Sequence, residues 1–185
     1  IKEILPKVNR PVLTYGFDKS ADFHAVDLQQ DGMFTSFTAK RPGDNKDLRI
    51  KLRMPGNHNV LNALAAIAVA SDEKIADDAI IRALEKFQGV GRRFQVCGEF
   101  AFKGEPVMLV DDYGHHPTEV EATLNTAKAG WDRRIVAVFQ PHLFTRTQAF
   151  FREFATALQI ADLVVITDIY PAREKAIPGV TSKLI

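Results

Sequence analysis

The second half of the chain carries three short runs of uninterrupted apolar residues, VMLV, IVAVF and LVVI, and they constrain the fold more than any other feature. A strand with no polar residue on alternate positions has no face to offer water, so it belongs in a sheet covered on both sides. The runs predict strands at Val107–Asp111, Ile135–Phe139 and Leu163–Thr167, and the stretches between them predict helices at Pro117–Ala127 and Thr147–Ile160. Strand, helix, strand, helix, strand is the rhythm of a parallel sheet wound with helices, the start of a doubly wound α/β domain. Ligands of such domains bind where the strands end.

The first half reads differently. Val12–Phe17, Phe23–Leu28, Met33–Ala39 and Leu48–Met54 are short runs rich in β-branched and aromatic residues. Asp18-Lys-Ser, Gln30-Asp-Gly and Arg41-Pro-Gly-Asp-Asn separate them as turns, and such close spacing predicts antiparallel hairpins. Helices are expected at Asn57–Ala70 and Ala76–Phe87. The glycines of Phe87-Gln-Gly-Val-Gly-Arg-Arg-Phe94 mark a linker, which places a domain boundary between residues 91 and 92. The fold class is therefore α/β: antiparallel strands plus two helices over 1–91, then a Rossmann-like segment over 92–185.

Composition excludes several classes. Hydrophobic residues at 46% and charged residues at 25% suit a globular domain. A net charge of +1 gives no field for nucleic acid or an anionic membrane surface. No run reaches the ~18 apolar residues of a membrane span, and IKEILPKVNR has no signal-peptide pattern. The single cysteine, Cys97, rules out an internal disulfide and fits a reducing compartment, with no histidine near it in sequence to make it reactive. The chain opens on Ile1 and stops at Ile185 after a loop-like stretch, so it reads as a piece of a longer protein.

The candidate chemistry sits after the first two apolar runs. One continues into Asp111-Asp112-Tyr113-Gly114-His115-His116-Pro117, the other into Gln140-Pro141-His142-Leu143-Phe144-Thr145-Arg146. Pro117 suits a first helical position and Thr118 with Glu121 has capping-box spacing. Asp111 or Asp112 can accept hydrogen bonds from a ribose or orient a cation. Tyr113, His115, His142 and Arg146 can hold a phosphate, a carboxylate or an incoming amine. The plainer alternative is polar loops in which Asp112 or His116 caps a helix. Adjacent His115 and His116 are poorly placed to share a metal ion, and no metal ligand is assigned. In a second group His58, Asn59 and Asn62 sit at a helix entrance, where paired carboxamides can read a purine edge; N-capping by Asn57 or Asn59 is the alternative. In the third, Gly89 and Gly91 precede Arg92 and Arg93, a possible hinge that swings a cation, or simply a surface linker. His24 reads as structural.

Read in order, GNHNVLNALAA, GVGRRF, VDDYGHHPTEV and FQPHLFTRT resemble the later part of the Mur ligases, with DDYGHHPTEV and QPHLFTR most like the L-alanine-adding branch. The resemblance covers nearly the whole chain, from the second half of the central ATP-binding domain (1–91) into the first half of the C-terminal domain (92–185). It implies a cytoplasmic bacterial ligase of peptidoglycan synthesis that activates UDP-N-acetylmuramate with ATP as an acyl phosphate, which the amine of L-alanine then attacks. It assigns His58, Asn59 and Asn62 to adenine, and Arg93 and Asp112 to the phosphate and ribose side. Tyr113, His115, His142 and Arg146 would face the muramyl acid and the alanine, with Arg93, His115 and Arg146 as the catalytic set. ATP and Mg2+ are implied, with the phosphate-gripping loop and the magnesium ligands expected outside these residues, since no G-x-x-x-x-G-K-[ST] motif occurs here. Leu143 stands where some relatives carry arginine. A tripeptide-recycling ligase and a non-catalytic nucleotide-binding domain are the competing readings.

Overall fold

The structure is a computed structural model that describes residues 3–43 and 46–185. Asp44 and Asn45 of the expected third turn lie outside the described residues, as do Ile1 and Lys2. The chain forms two compact units, 1–88 and 89–185.

In the first unit, β1 (Tyr15–Gly16), β2 (Phe23–Asp31), β3 (Phe34–Lys40) and β4 (Leu48–Leu52) form one sheet in sequence order. The β2–β3 and β3–β4 pairs are antiparallel, as the turn spacing predicts. The first strand departs from expectation: only two residues of the 12–17 run pair, and they pair in parallel with β2. The cause is local. Asp22 accepts from both the main-chain N–H and the hydroxyl of Thr14, at 2.7 Å each, which closes residues 14–22 into a loop and returns the chain alongside itself.

Alternation sets the inner face of the sheet. In β4, Leu48, Ile50 and Leu52 are buried while Arg49 and Lys51 are exposed, and Phe37 and Ala39 of β3 continue the same layer. Helix α1 (Asn57–Asp72) lays Val60, Leu64 and Ile67 onto them, and α2 (Asp77–Lys86) adds Ile80. Each large aliphatic side chain so buried contributes about 2 kcal/mol. Alanines at 63 and 68 let α1 lie close to the sheet.

One ion pair locks the periphery. Arg41, its side chain 3% exposed, donates through both terminal nitrogens to Asp77 at 2.8 Å and through Nε to the Lys46 carbonyl at 2.6 Å. It therefore ties the β3–β4 connection to the start of α2.

The second unit begins with the hairpin β5 (Gln95–Phe102) and β6 (Glu105–Asp111). Helix α3 (Pro117–Gly130) follows, then β7 (Val136–Phe139), α4 (Phe144–Leu158) and β8 (Leu163–Ile166). β7 and β8 pair in parallel across α4, as the apolar runs imply. The VMLV run does not join them by hydrogen bonds: it lies in β6, antiparallel to β5. Nor is the run buried as expected: Val107 and Leu109 are exposed and Met108 and Val110 half-buried, so apolar continuity fixed neither its burial nor its partner strand. Val120 and Leu124 of α3 and Phe154, Ala157 and Leu158 of α4 pack on Phe139, whose ring lies 5.0 Å from that of Phe154. The expectation of burial on both faces holds on one side only, since Val138 is 70% exposed and Val136, Leu163 and Val165 share that condition. Among the described residues, no helix is long and apolar enough to cross a membrane.

Removing the Asp77 carboxylate leaves a buried guanidinium without its fork, so Asp77→Asn should cost about 2–3 kcal/mol in urea unfolding. The hydrogen bond from Arg41 holds the Asp77 carboxyl below its ordinary pKa. A depressed carboxyl stabilises the fold above its unfolded value, near ~3.9, and that contribution disappears as pH falls through the native value. Wild type should lose stability below about pH 4 more steeply than Asp77→Asn; parallel pH profiles would exclude the pair as a stabilising element.

Candidate functional site

The loop after β6 is shaped by two carboxylates. Asp112 accepts from Phe94 N–H at 2.8 Å with one oxygen and from Gly114 N–H at 2.7 Å with the other. Glu119 accepts from His115 N–H at 2.9 Å and His116 N–H at 3.1 Å, and Arg93 donates to its second oxygen at 3.3 Å. These are main-chain groups that no helix or strand satisfies, and a carboxylate is a strong acceptor for them. The loop is so tight that a Cβ at Gly114 would lie 2.9 Å from an Asp112 oxygen.

The capping box of α3 is formed by His116 and Glu119, two positions ahead of Thr118 and Glu121, where the sequence spacing put it. Pro117 does occupy the first helical position, and this makes His116 the N-cap. The two neighbouring histidines consequently diverge. His116 accepts from Thr118 N–H and packs edge-on against Phe150, 5.0 Å between rings, whereas His115 turns to Tyr113 and His142. The plain reading of His116 as a cap is the one observed.

The second loop, after β7, leads into α4 through Leu143, whose φ of 73° lies in the left-handed region. A main-chain clamp imposes it: Leu143 N–H donates to Tyr170 O at 2.9 Å, and Tyr170 N–H donates to Pro141 O at 2.8 Å. Leu143 offers no side-chain cap, so Glu174 supplies one from 29 residues downstream, accepting from Thr145 N–H at 3.0 Å and its hydroxyl at 2.5 Å. α4 thus starts at Phe144, three residues before the expected Thr147, and Arg146 sits in its first turn.

These two loops bring together what the sequence separates by about thirty residues. His115 and His142 have ring centroids 6.0 Å apart, and Tyr113 packs edge-on to His115 at 5.2 Å. Arg146 Nη1 donates to His142 Nδ1 at 3.2 Å, so a neutral His142 carries its proton on Nε2. His115 Nδ1–H donates to Tyr113 O at 2.8 Å, which leaves its Nε2 as the ring's acceptor. In their neutral forms, one imidazole presents a lone pair and the other a proton, and Arg146 contacts the second ring. Burial, then Arg146 and His115, push the His142 imidazole below its ordinary pKa against a smaller upward pull from Glu174.

Other candidates are placed more plainly. Arg92 pairs with Asp111 at 3.1 Å and lies over the Tyr113 ring at 4.7 Å. In the first unit, Gly56 precedes α1 at φ 94°, a conformation only glycine adopts without strain. Asn59 is buried and donates its amide to Pro55 O at 2.8 Å; Asn62 is exposed and His58 half-buried. The structure does not present Asn59 and Asn62 as a matched exposed pair. Neither Asn57 nor Asn59 is the N-cap that the alternative reading allowed, because Gly56 holds that position. Sequence reasoning missed Glu119 and Glu174. A glutamate at the third position of a helix opening His-Pro is a readable signal for the first; nothing local signals the second. Among the described residues, no group of three or more His, Cys, Asp or Glu is placed to hold a metal ion.

The lowered pKa of His142 favours its neutral form in the folded chain. Its stabilising effect is complete above the ordinary imidazole value, near ~6.5, and is lost as pH falls from there through the native value. A proton NMR titration should find His142 titrating below ordinary imidazole, and Arg146→Ala should move it upward. An unmoved titration would exclude the contact.

The Mur ligase middle domain matches residues 1–70, and the Mur ligase, glutamate ligase domain matches residues 92–183. UDP-N-acetylmuramate–alanine ligase from Thermotoga maritima is similar over 85% of this chain and 34% of its own, with 35% identity and a TM-score of 0.71. Murein peptide ligase from Psychrobacter arcticus is 30% identical over 89% of this chain and 34% of its own, with a TM-score of 0.58. Folylpolyglutamate synthetase from Lactobacillus casei, 12% identical with a TM-score of 0.62 over 91% of this chain and 42% of its own, shares the fold alone. The chain spans about a third of the length of the first two. Two domains of one family, matched in order along the sequence, carry the assignment: the chain belongs to the Mur ligase family.

Proposed function

We propose that this chain is part of an ATP-dependent ligase of bacterial peptidoglycan synthesis that joins L-alanine to UDP-N-acetylmuramate. The observation that supports it best is the meeting of His115, His142 and Arg146 at two strand-end loops. In this reading a muramyl carboxylate oxygen attacks the γ-phosphorus of ATP and ADP leaves; the alanine nitrogen then attacks the acyl carbon and phosphate leaves. Such chemistry asks a protein mostly for positioning and for charge placed where charge develops.

The side chains divide those tasks. Arg146, with three guanidinium nitrogens and a flat fork, takes the alanine carboxylate or the muramyl acid, and His142 adds a second donor through Nε2. The lone pair on His115 Nε2 accepts the proton that the alanine ammonium must lose before its nitrogen can attack. Arg93 neutralises the transferring phosphoryl group, Asp112 holds Arg93's neighbour Phe94 in place and faces the ribose side, and Tyr113 contacts the sugar-linked acid. His58, Asn59 and Asn62 are assigned to adenine. Asn59, whose amide nitrogen is engaged with Pro55, would use its carbonyl. Mg2+ finds no group of ligands among the described residues, so no step is assigned to it. A cytoplasmic location fits these substrates.

A second reading, a tripeptide-recycling ligase, has the 30% identity to murein peptide ligase in its favour. A non-catalytic domain of the same family is the third; a lysine-bearing phosphate loop upstream of Ile1 separates it from both enzymes. For the two enzymes, phosphate release by the full-length protein with UDP-N-acetylmuramate should require free L-alanine and not the murein tripeptide. The opposite preference would replace the first reading by the second.

Arg146→Ala should lower kcat/KM about 100-fold, roughly the cost of one transition-state donor, and Arg146→Lys should not restore it because an ammonium lacks the fork. Activity within a few-fold of wild type would remove Arg146 from the site. Residues 1–185 alone should give no ATP-dependent ligation, and measurable turnover would contradict the expected need for an upstream phosphate loop.

A further inference from the structure

Glu119 belongs to none of the candidate groups, yet two of them, the strand-end loop and the arginine linker, converge on it. One oxygen accepts the N–H groups of His115 and His116 and lies 3.6 Å from His115 Nδ1. The other accepts Arg93 Nη1 at 3.3 Å. The segment bearing Arg93 is fixed to the same loop on either side, by Tyr113 N–H to Arg92 O at 2.8 Å and by Phe94 N–H to Asp112. Burial opposes ionisation of Glu119, but the two N–H groups, the His115 ring and Arg93 outweigh it and hold the carboxyl below its ordinary pKa.

A capping box requires only the first of these oxygens. The second has no part in the cap, and a helix start would be equally well formed with Arg93 elsewhere. Nη1 alone touches Glu119, so the remaining donors of the fork stay available to an anion.

We propose that Glu119 is a positioning residue. Its carboxylate fixes the Arg93 guanidinium against the His115 loop, so the cation assigned to the phosphoryl group and the imidazole assigned to the amine are set by one side chain. This rests on the roles given to Arg93 and His115 above. Glu119 itself touches no reacting atom.

Two variants separate positioning from capping. Glu119→Gln keeps a carbonyl oxygen for the His115 and His116 N–H groups and loses the charge that holds Arg93. Glu119→Ala loses both. In the full-length protein, Glu119→Gln should lower kcat about tenfold with little change in the KM for ATP, as expected for lost orientation. The Glu119→Gln, Arg93→Ala double variant should be no slower than Arg93→Ala alone, because the two act as a unit. Multiplying losses, or a Glu119→Gln enzyme with wild-type kcat, would overturn the proposal. A second measurement does not depend on the reaction. In residues 1–185, a 13C titration of the Glu119 carboxyl should move upward on Arg93→Ala. No movement overturns the proposal even if the protein proves to be an alanine ligase; an upward shift in a protein that lacks ligase activity leaves the ion pair standing and refutes the proposed function.

Discussion

Loops at strand ends expose main-chain N–H groups that neither a sheet nor a helix can satisfy, and in this chain carboxylates supply the missing acceptors. Asp22 takes Thr14, Asp112 takes Phe94 and Gly114, Glu119 takes His115 and His116, Asp162 takes Ile135 and Glu174 takes Thr145. An unsatisfied buried N–H costs about 1–3 kcal/mol, so a loop that must stay rigid needs such partners. Much of the acidic complement near the site is therefore structural first. What remains free to meet ligands is mainly basic or neutral: the imidazoles, Arg146 and Tyr113.

That division explains which parts of the fold could be read beforehand. The β-rich run of β4 and the apolar runs of β7 and β8 are local patterns, and they form strands where expected, although β7 and β8 are buried on one side only. Strand pairing is not local. The VMLV run looks like its parallel neighbours, but its hydrogen bonds go to Gln95–Phe102, a strand interrupted by Gly98 and by an irregular register. The same limit applies to the first strand, where one aspartate eight residues on decides the chain's direction.

The site shows the same contrast. His115, His142 and Arg146 were recognisable because they fall just beyond strong strand signals, where α/β domains place their ligands. Helical spacing pairs Asn59 with Asn62, but one turn of helix separates a buried position from an exposed one. Thr118 and Glu121 fit the capping pattern, yet Pro117 fixes where the helix begins and hands the role to His116 and Glu119. Glu174 lies 29 residues from Thr145, whose N–H it accepts, a distance over which no motif speaks.

The chain's single tryptophan adds a practical property. Trp131, at the end of α3, stacks on Phe94 with centroids 5.4 Å apart and planes 16° from parallel. Phe94 in turn donates its main-chain N–H to Asp112. An indole whose partner ring is tethered this way is an intrinsic optical gauge: its emission follows the joint between the arginine segment and the strand-end loop, with no label attached.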